Sequence, residues 1–272
     1  MFGNKVTVGL PVYNDEKTVK SAIESILNQT YTNLELIISD NCSTDSTGII
    51  CLELAKNDSR IIYFRQNSNI GLIPNWNFVL EKAESEYFMW LGGDDKFEEN
   101  YIFECLKVFS ENEDCTTVFC HFYVYDTNSN ILVSRITPSS TSMDFSFARV
   151  RLRLKEVIPN ILFGLHKRSF LSKISKFESF DWFDVFACIE LSYYGKIYVI
   201  PKYLYYCGTD GRRKPYSLTG ELFNMSIFNK KFLNFVYSKF SFKRSVYLIL
   251  YSRYISFFSQ KRLNSVIKSW EY

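Results

Sequence analysis

The sequence has few of the residues that form zinc or disulfide sites, and it has no long apolar run. Two histidines and seven cysteines occur among 272 residues, with no C-x-x-C pair, which argues against a Cys/His zinc site and a disulfide framework. No stretch reaches the roughly 18 apolar residues of a membrane-spanning helix, and the N-terminal stretch lacks a signal-peptide pattern. We therefore expect a cytoplasmic protein with reduced thiols, able to lie at the cytoplasmic face of a membrane.

Two common phosphate-binding motifs are also absent. The sequence contains no G-x-x-x-x-G-K-[ST] loop, and no G-x-G-x-x-G turn follows the first predicted strand. A P-loop and a dinucleotide-binding Rossmann turn are therefore excluded. A nucleoside diphosphate bound by this chain needs a divalent cation to neutralise its phosphates.

Positive charge is concentrated in the last part of the chain. Residues 221–272 carry nine Lys or Arg against two Glu, interleaved with Phe and Tyr. We predict that residues 216–272 form a basic, aromatic, helical extension. It either contacts an anionic membrane surface or packs on the body of the protein or on a second subunit, which leaves a homodimer open. No recognised motif supports binding to nucleic acid.

The first hundred residues alternate short apolar strands with amphipathic helices. The runs "KVTVGLPVY", "LELIISD", "RIIYFRQ" and "YFMWL" predict four strands, and helices are expected over residues 16–28, 49–57 and 76–83. Short strands that alternate with helices indicate parallel β-α-β units. We therefore expect an α/β fold with an open, twisted, mostly parallel sheet flanked by helices.

The second hundred residues follow a different pattern. A helix is expected near residues 101–110, and two strands flank a turn at "DTNSN". Residues 137–150 are rich in Ser and Thr and predict a mobile loop. The segment "DVFACIELSYYGKIYVIP" predicts a helix that ends at Gly195, followed by a strand to Pro201.

Polar side chains follow each of the four predicted strands. In an open parallel sheet the ligand lies beyond the carboxyl ends of the strands, so these residues converge on one edge. The polar and glycine residues at these strand ends are Tyr13, Asn14, Asp15, Glu16, Asp40, Asn41, Ser43, Asn67, Asn69, Gly71, Gly92, Gly93, Asp94 and Asp95.

The carboxylate pair Asp94 and Asp95 follows a buried strand directly. Adjacent like charges repel each other and resist burial. A divalent cation would relieve this repulsion, and Mg²⁺ typically takes one or two carboxylates together with substrate phosphates. The alternative is that the pair only caps the next helix. The convergence of the other strand ends favours a metal site.

Three blocks of the sequence resemble the family 2 glycosyltransferases, which have the GT-A fold. They are "VGLPVYNDEKTVKSAIESILNQTYTNLELIISDNCSTDST", the "NIG" at residues 69–71, and "WLGGDD". The resemblance is strong to about residue 100, weaker to Pro201 and absent beyond. It implies a GT-A-like catalytic domain over residues 1–215, with a nucleotide-binding half (1–100) and an acceptor half (101–215).

The resemblance also implies roles for individual residues. Tyr13 and Asp40 are expected to hold the nucleobase, Asp94 to contact the ribose, and Asp95 to bind Mg²⁺ or Mn²⁺. Gly93 stands where many members have the first aspartate of the D-x-D motif. The full set of expected donor-site residues is Pro11, Tyr13, Asn14, Glu16, Asp40, Asn69, Gly71, Gly93 and Asp94, with Asp95 as the metal ligand.

Members that invert configuration use a carboxylate base at a helix start about ninety residues after the metal motif. Asp184 fits the spacing to Gly195, Asp181 is the rival and Glu178 a third candidate. The family's usual Glu-Asp pair is broken by Phe183, and either aspartate also suits a helix cap. Arg212 and Arg213 either close over the donor diphosphate or form a solvated charge run.

The implied activity is transfer of a sugar from a nucleotide donor, with UDP favoured, to a hydroxyl of a glycan or lipid-linked saccharide. Such chemistry belongs to polysaccharide biosynthesis of the cell envelope. Two alternatives remain. One is a nucleotidyltransferase that makes sugar nucleotides, although the stretch "PVYNDEKT" is neither glycine-rich nor basic. The other is a carbohydrate-binding or assembly module that keeps the fold without turnover.

Overall fold

The structure is a computed structural model that describes residues 3–174, 176–177, 182–209, 230–241, 243–245 and 247–249. A short 3₁₀ helix, Pro159–Phe163, precedes β8. The labelled elements are β1 (Val6–Val12), α1 (Val19–Leu27), β2 (Leu34–Asp40), α2 (Thr47–Asn57), β3 (Ile61–Arg65), α3 (Leu72–Lys82), β4 (Tyr87–Trp90), β5 (Lys96–Phe97), α4 (Tyr101–Glu111), β6 (Cys115–Asp126), β7 (Ile131–Ile136), α5 (Ser146–Lys155), β8 (Leu165–Lys167), α6 (Arg168–Leu171), α7 (Phe183–Tyr194) and β9 (Lys196–Thr209).

The strands of the described residues form one sheet in the order β3-β2-β1-β4-β8-β6-β9-β5, and β7 pairs with β6. The first four strands are parallel, with β1 between β2 and β4. Strands β6 and β9 are also parallel, whereas β8 joins β4 and β6 through antiparallel pairs. The predicted α/β fold with a sheet flanked by helices is confirmed.

The central strands are mostly apolar because helices cover both faces of the sheet. Every residue of β1 and β4 is buried. Helix α1 turns Val19, Ala22, Ile23 and Ile26 toward this core, which is the helical spacing seen in the sequence. Residues 1–100 therefore follow the predicted order of elements, and their first helix is shorter than the expected 16–28.

Helix α3 begins earlier than predicted. The sequence predicted this helix over residues 76–83, yet it starts at Leu72 and includes Pro74 in its first turn. A proline in the first helical turn costs no backbone hydrogen bond, since the N–H groups there have no partner within the helix. Gly71 precedes the helix with φ of 91°, a conformation that glycine adopts without strain.

The loop prediction for residues 137–150 is wrong at its end, where α5 begins at Ser146. Its inward face includes two arginines, Arg149 and Arg153, which are 6% and 2% exposed. Arg149 donates to the carbonyl groups of Ser192 and Tyr193 in α7. Buried arginines replace apolar residues at helical positions, so the apolar periodicity that predicts a helix is weak here.

Strand β9 continues beyond Pro201, where the sequence predicted its end, to Thr209. The register between β6 and β9 shifts so that Cys120 pairs with Ile200 and His121 with Tyr203. Pro201 lies in this irregularity, which is where a strand tolerates a residue without an N–H group. The continuation brings Gly208 and its neighbours to the carboxylate pair.

The described part of the C-terminal extension packs on the body of the protein. Residues 230–239 are helical, and Phe232, Phe235 and Val236 join a second apolar cluster with side chains of α5 and α7. This packing agrees with one of the two predicted uses of the aromatic residues. The predicted boundary between residues 215 and 216 lies outside the described residues. Within the described part, no helix is long and apolar enough to cross a membrane.

Candidate active site

A cleft of about 680 Å³ opens at the carboxyl ends of the parallel strands. This volume lies within the range of small-molecule binding sites. Its wall combines the strand ends of the first half with residues of β9 and of the 3₁₀ helix. The residues that line it are Pro11, Val12, Tyr13, Asp15, Asn41, Asn69, Leu72, Asn75, Trp76, Gly92, Gly93, Asp94, Asp95, Asp126, Asn160, Phe163, Cys207, Gly208 and Thr209.

The carboxylate pair lies in this cleft, and its second member is nearly buried. Asp95 is 3% exposed. Its Oδ2 accepts a hydrogen bond from the Tyr205 hydroxyl at 2.7 Å, and its Oδ1 accepts one from the Gly208 N–H at 3.0 Å. Burial, together with the charge of Asp94, raises the pKa of Asp95 to about 7. Both hydrogen bonds orient the carboxylate without neutralising its charge.

The β6–β9 pair holds the backbone of the doublet. The Tyr125 hydroxyl of β6 donates to the Asp94 carbonyl oxygen at 2.9 Å. A side chain at Gly208 would overlap that same carbonyl oxygen, so only glycine fits at this position. The second half of the chain therefore fixes the position of the carboxylates that the first half supplies.

Gly93 allows a close approach on the opposite side of the doublet. A Cβ atom added at this position would lie 2.5 Å from Oδ2 of Asp15, so a side chain would displace that carboxylate. The Asp15 Oδ2 also accepts a hydrogen bond from the Tyr13 N–H at 3.1 Å. The glycine before the doublet thus leaves room for the Asp15 carboxylate in the turn that follows β1.

The two residues expected to hold the nucleobase differ in accessibility. Tyr13 lines the cleft with 41% of its surface exposed. Asp40 is fully buried, and its carboxylate accepts hydrogen bonds from the Ser43 N–H at 2.8 Å and the Tyr63 hydroxyl at 2.9 Å. It also forms an ion pair with Arg65. Asp40 is not among the residues that line the cleft.

Asn41 joins the loops that follow β2 and β3. Its Nδ2 donates to the Asn69 Oδ1 at 2.9 Å and to the Gly71 carbonyl oxygen at 3.2 Å. Its Oδ1 accepts a hydrogen bond from the Ile70 N–H at 2.8 Å. Asn69 and Gly71, predicted as donor-site residues, are thereby fixed at the edge of the cleft, and Asn69 lines it.

Asn14 and Glu16, two further predicted donor-site residues, line a smaller neighbouring pocket of about 280 Å³. Both also stabilise the loop between β2 and α2. The Asn14 Oδ1 accepts a hydrogen bond from the Thr44 N–H at 2.8 Å, and the Glu16 Oε2 accepts one from the Ser46 N–H at 3.0 Å. Asn14 adopts a φ of 56°, which asparagine tolerates better than most residues.

The predicted base Asp184 lies in the first turn of α7 and is half-buried. Its Oδ1 accepts a hydrogen bond from the Val185 N–H at 2.7 Å. The neighbouring Phe183 ring packs edge-on against Trp76, a cleft residue, with 5.8 Å between ring centroids. Trp182 precedes the helix with φ of 75°, a strained value for a large side chain. The other predicted residues on this side, Asp181, Glu178, Arg212 and Arg213, lie outside the described residues.

His166 lies in β8, is fully buried and is not among the residues that line the cleft. Its ring nitrogens meet the Thr117 hydroxyl at 2.8 Å and the Leu162 carbonyl oxygen at 2.9 Å. Burial lowers the pKa of His166 to about 4. The imidazole is therefore neutral and serves the packing of β4, β6 and β8.

The residues of the cleft fit a hard divalent cation when a ligand supplies phosphates. Among the described residues, no three His, Cys, Asp or Glu side chains are grouped so as to hold a metal by themselves. Mg²⁺ needs only one or two carboxylates when phosphates and water complete its shell. Asp94 and Asp95 both line the cleft, and no lysine or arginine of the described part forms an ion pair with Asp95.

Several cleft residues escaped prediction from the sequence. Asp126 ends β6, Asn160 lies in the 3₁₀ helix, and Gly208 and Thr209 end β9. Asp126, Gly208 and Thr209 reach the cleft through the long-range pairing of β6 with β9, and Asn160 donates to the Cys207 Sγ of β9. The turn at "DTNSN" marks Asp126 as the end of a strand, and this was the one local signal available.

A model of one protein family matches residues 7–173, and its description is glycosyl transferase family 2. This chain belongs to that family. The match includes the cleft residues of the first half, the doublet and the β6–β7 hairpin. It ends before the described residues of α7, so the family assignment carries no information about Asp184.

Two curated relatives match the first part of the chain. The glycosyltransferase GlyA of Streptococcus pneumoniae is 37% identical over 102 residues, which are 38% of this chain and 14% of that protein. The GalNAc(5)-diNAcBac-PP-undecaprenol beta-1,3-glucosyltransferase of Campylobacter jejuni is 39% identical over 93 residues, which are 34% of this chain and 30% of that protein. The aligned part is thus a minor share of each relative.

The fold is also similar to that of a solved structure. The crystal structure of S. aureus TarS residues 1–349 in complex with UDP-GlcNAc aligns with a TM-score of 0.68 and 19% sequence identity, covering 85% of this chain and 67% of that one. The similarity extends past the family match into the second half of the sheet. At this identity it supports the GT-A fold alone.

Proposed function

We propose that this chain is an inverting, metal-dependent glycosyltransferase that moves a sugar from a nucleoside diphosphate, with UDP favoured, to a hydroxyl of a glycan or lipid-linked saccharide. The observation that carries the proposal is the cleft in which Tyr13, Asn69, Asp94 and Asp95 meet. Membership of glycosyl transferase family 2 supports it. The UDP-GlcNAc complex of the similar TarS structure agrees with the proposed donor class. The undecaprenol-linked substrate named for the Campylobacter jejuni relative agrees with the proposed acceptor class.

The nucleoside would lie between the ends of β1 and β3. The exposed face of Tyr13 offers a stacking surface for a base. Asp40 pairs in register with Val12, the residue before Tyr13, and its carboxylate is paired with Arg65. A pyrimidine imide N–H is a donor that Asp40 can accept once the guanidinium turns outward, and Arg65 has room for that movement because 46% of its side chain is exposed. Arg65 would then lie beside the base.

The diphosphate would lie over the doublet. Asp95, with help from Asp94, would hold Mg²⁺ or Mn²⁺, which when bound supplies positive charge to the leaving diphosphate. The Tyr205 hydroxyl and the Gly208 N–H keep the Asp95 carboxylate in one orientation. Asp94 presents its side chain to the cleft for the ribose. Arg212 and Arg213 are proposed to meet the phosphates from the segment after β9.

The acceptor hydroxyl would attack the anomeric carbon from the face opposite the diphosphate. A carboxylate base must accept the hydroxyl proton during this attack. Asp184 is proposed for this role because it opens α7, whose neighbouring Phe183 contacts the cleft residue Trp76. Asp181 is the alternative. Either residue would leave the product with inverted configuration.

The basic extension (residues 216–272) follows the acceptor half of the predicted catalytic domain (residues 101–215). We propose that this extension attaches the protein to an anionic membrane. Its aromatic residues Phe232 and Phe235 pack inward, so attachment to a membrane would rest on the exposed cations Lys230, Lys239 and Arg244. Such attraction to anionic lipid is electrostatic and weakens as salt screens it. Sedimentation with anionic and neutral vesicles at low and high salt tests it. Equal binding to both would oppose it.

Transfer or hydrolysis of a panel of nucleotide sugars tests the proposed activity. We expect turnover of at least one UDP-linked sugar, loss of turnover in EDTA and its return with Mn²⁺. Proton NMR of the first product formed should show the anomeric configuration opposite to that of the donor. Turnover that is unchanged in EDTA would contradict the metal, and a retained configuration would contradict the base. Formation of a sugar nucleotide from a sugar phosphate would favour the nucleotidyltransferase.

A further inference from the structure

A second groove lies beside the cleft, on the side of the β6–β7 hairpin. Its volume is about 400 Å³, and it shares no lining residue with the cleft. We call it the tyrosine groove and define it by Lys96, Tyr123, Tyr125, Arg135 and Tyr206. Lys96 directly follows the doublet in sequence, and the Tyr125 hydroxyl donates to the Asp94 carbonyl oxygen. The groove and the cleft are therefore neighbours across one turn of backbone.

The walls of the tyrosine groove are aromatic rings on a sheet surface. Tyr123 stacks on Tyr203 with 4.6 Å between centroids and an interplanar angle of 20°, and it lies 5.3 Å from the Tyr206 ring. Tyr123 and Tyr125 are half-buried, whereas Phe122 on the opposite face is buried in the core. A row of tyrosines on the outer face is not needed for the core and presents flat surfaces to a ligand.

Two cations lie against these rings without a carboxylate partner. The Lys96 Nζ is 5.0 Å from the Tyr125 ring centroid, and the Arg135 guanidinium carbon is 5.7 Å from the Tyr123 centroid. Neither forms an ion pair within the described part of the chain. The nearby carboxylate of Glu98 is engaged by the Tyr206 hydroxyl at 2.5 Å. As far as the structure describes the chain, the groove therefore combines apolar faces with positive charge that has no carboxylate partner.

We propose that the tyrosine groove binds an anionic saccharide, as an outer subsite for a charged acceptor chain whose end reaches the cleft. The inference rests on the proposed function. Sugar rings present C–H groups, which suit the negative faces of aromatic rings. Arginine and lysine bind the carboxylate or phosphate groups that such a sugar would carry. The position next to the doublet places a bound chain at the reacting centre.

The source of the negative charge is open to experiment. A uronic acid polymer carries carboxylates, and a polyol phosphate polymer carries phosphodiesters. Both present anions at regular spacing beside apolar carbon surfaces. Single-stranded nucleic acid also combines anions with flat rings, and it serves as the competing ligand in the test.

The test uses the full chain, without donor, and calorimetric titration of four probes. These are tetragalacturonate, a glycerol phosphate tetramer, neutral maltotetraose and oligothymidylate. The test variant is the double substitution Lys96→Gln and Arg135→Gln, which removes both cations at surface positions. The control is Lys173→Gln, which removes an exposed cation that lies 4.4 Å from the Phe170 ring away from the groove.

We expect one anionic saccharide to bind the wild type and the control, and maltotetraose to bind at least about tenfold more weakly. The double variant should lose about tenfold or more in affinity for the anionic saccharide, the scale of one hydrogen bond to a charged group. Its affinity for UDP with Mn²⁺ should not change, which separates this proposal from the proposed function. Equal binding of maltotetraose, no loss in the double variant, or tighter binding of oligothymidylate would each overturn the proposal.

Discussion

Two buried carboxylates at the strand ends differ in the charge of their partners. Asp40 at the end of β2 is fully buried, and the ion pair with Arg65 compensates its charge. Asp95 after β4 is 3% exposed, and its partners are the neutral Tyr205 hydroxyl and Gly208 N–H. Among the described residues, the first charge has a cation partner and the second has none, and we infer that the second is compensated by a ligand. A site that stores an uncompensated charge is a feature of function rather than of stability.

The comparison is tested most strongly by removing the charge of Asp95. We expect Asp95→Asn to lower turnover by about 10³-fold or more, the scale of a lost electrostatic contact to the transition state. In metal-free buffer the same variant should be about 1–2 kcal/mol more stable, because an unpaired buried charge is costly. Activity assays and urea unfolding measure the two effects. A destabilised Asp95→Asn variant would show that the charge is compensated.

At Asp40 we expect a loss of stability when its partner is removed, because the charge of Asp40 is paired with Arg65. Arg65→Met should lower the free energy of unfolding by about 1–2 kcal/mol, since it leaves the buried Asp40 without this cation, while the 46% exposure of the Arg65 side chain weakens the pair. Lys176→Met is the matched control, because the Lys176–Glu81 pair is exposed on both sides and should contribute less than about 1 kcal/mol. Urea unfolding measures both. If Arg65→Met and Lys176→Met lowered the free energy of unfolding equally, the Arg65–Asp40 pair would contribute no more than an exposed pair.

Substitution of Asp184 tests which carboxylate accepts the proton of the acceptor hydroxyl. We expect Asp184→Asn to lower kcat by about 10²-fold, the usual scale of general base catalysis, with donor affinity nearly unchanged. Single-turnover kinetics and nucleotide titration separate these effects. An active Asp184→Asn variant beside an inactive Asp181→Asn variant would transfer the role to Asp181.

The buried imidazole of His166 is a third case. It has no charge to compensate, because burial favours its neutral form. Its pKa is about 4 in the folded protein and near 6.5 in the unfolded chain. The unfolded chain therefore binds the extra proton first, and stability falls as pH decreases from about 6.5 toward 4. Between pH 7 and pH 5 the contribution of His166 is a loss of about 2 kcal/mol, which the raised pKa of Asp95 opposes over the same interval. Urea unfolding of the wild type and His166→Gln at both pH values isolates this contribution, and an equal pH dependence of the two proteins would exclude it.

The contrast between the two carboxylates was only partly visible in the sequence. Apolar runs located the first four strands, and both Asp40 and Asp95 follow from their positions after those strands. The partner of Asp40 was missed, although Arg65 ends the neighbouring strand and the parallel register places the two residues side by side. Opposite charges at matched ends of adjacent strands are the signal that identifies such a pair.

The second half of the site depends on contacts that no local pattern records. Gly208 and Tyr205 reach Asp95 because β9 continues past Pro201 through an irregular register with β6. Helix α5 was missed because Arg149 and Arg153 occupy positions where an apolar residue would signal a buried face. Long-range pairing and buried arginines are therefore the physical reasons why prediction became weaker after residue 100.

The most direct test of the account is calorimetric titration of UDP, GDP and dTDP into the wild type and Asp95→Asn, with and without Mn²⁺. The account predicts that at least one of these nucleotides, with UDP favoured, binds the wild type more tightly when Mn²⁺ is present. In Asp95→Asn the dependence on Mn²⁺ should disappear, while metal-independent binding remains. Failure of all three nucleotides to bind the wild type with Mn²⁺, or equal dependence on Mn²⁺ in both proteins, would contradict it.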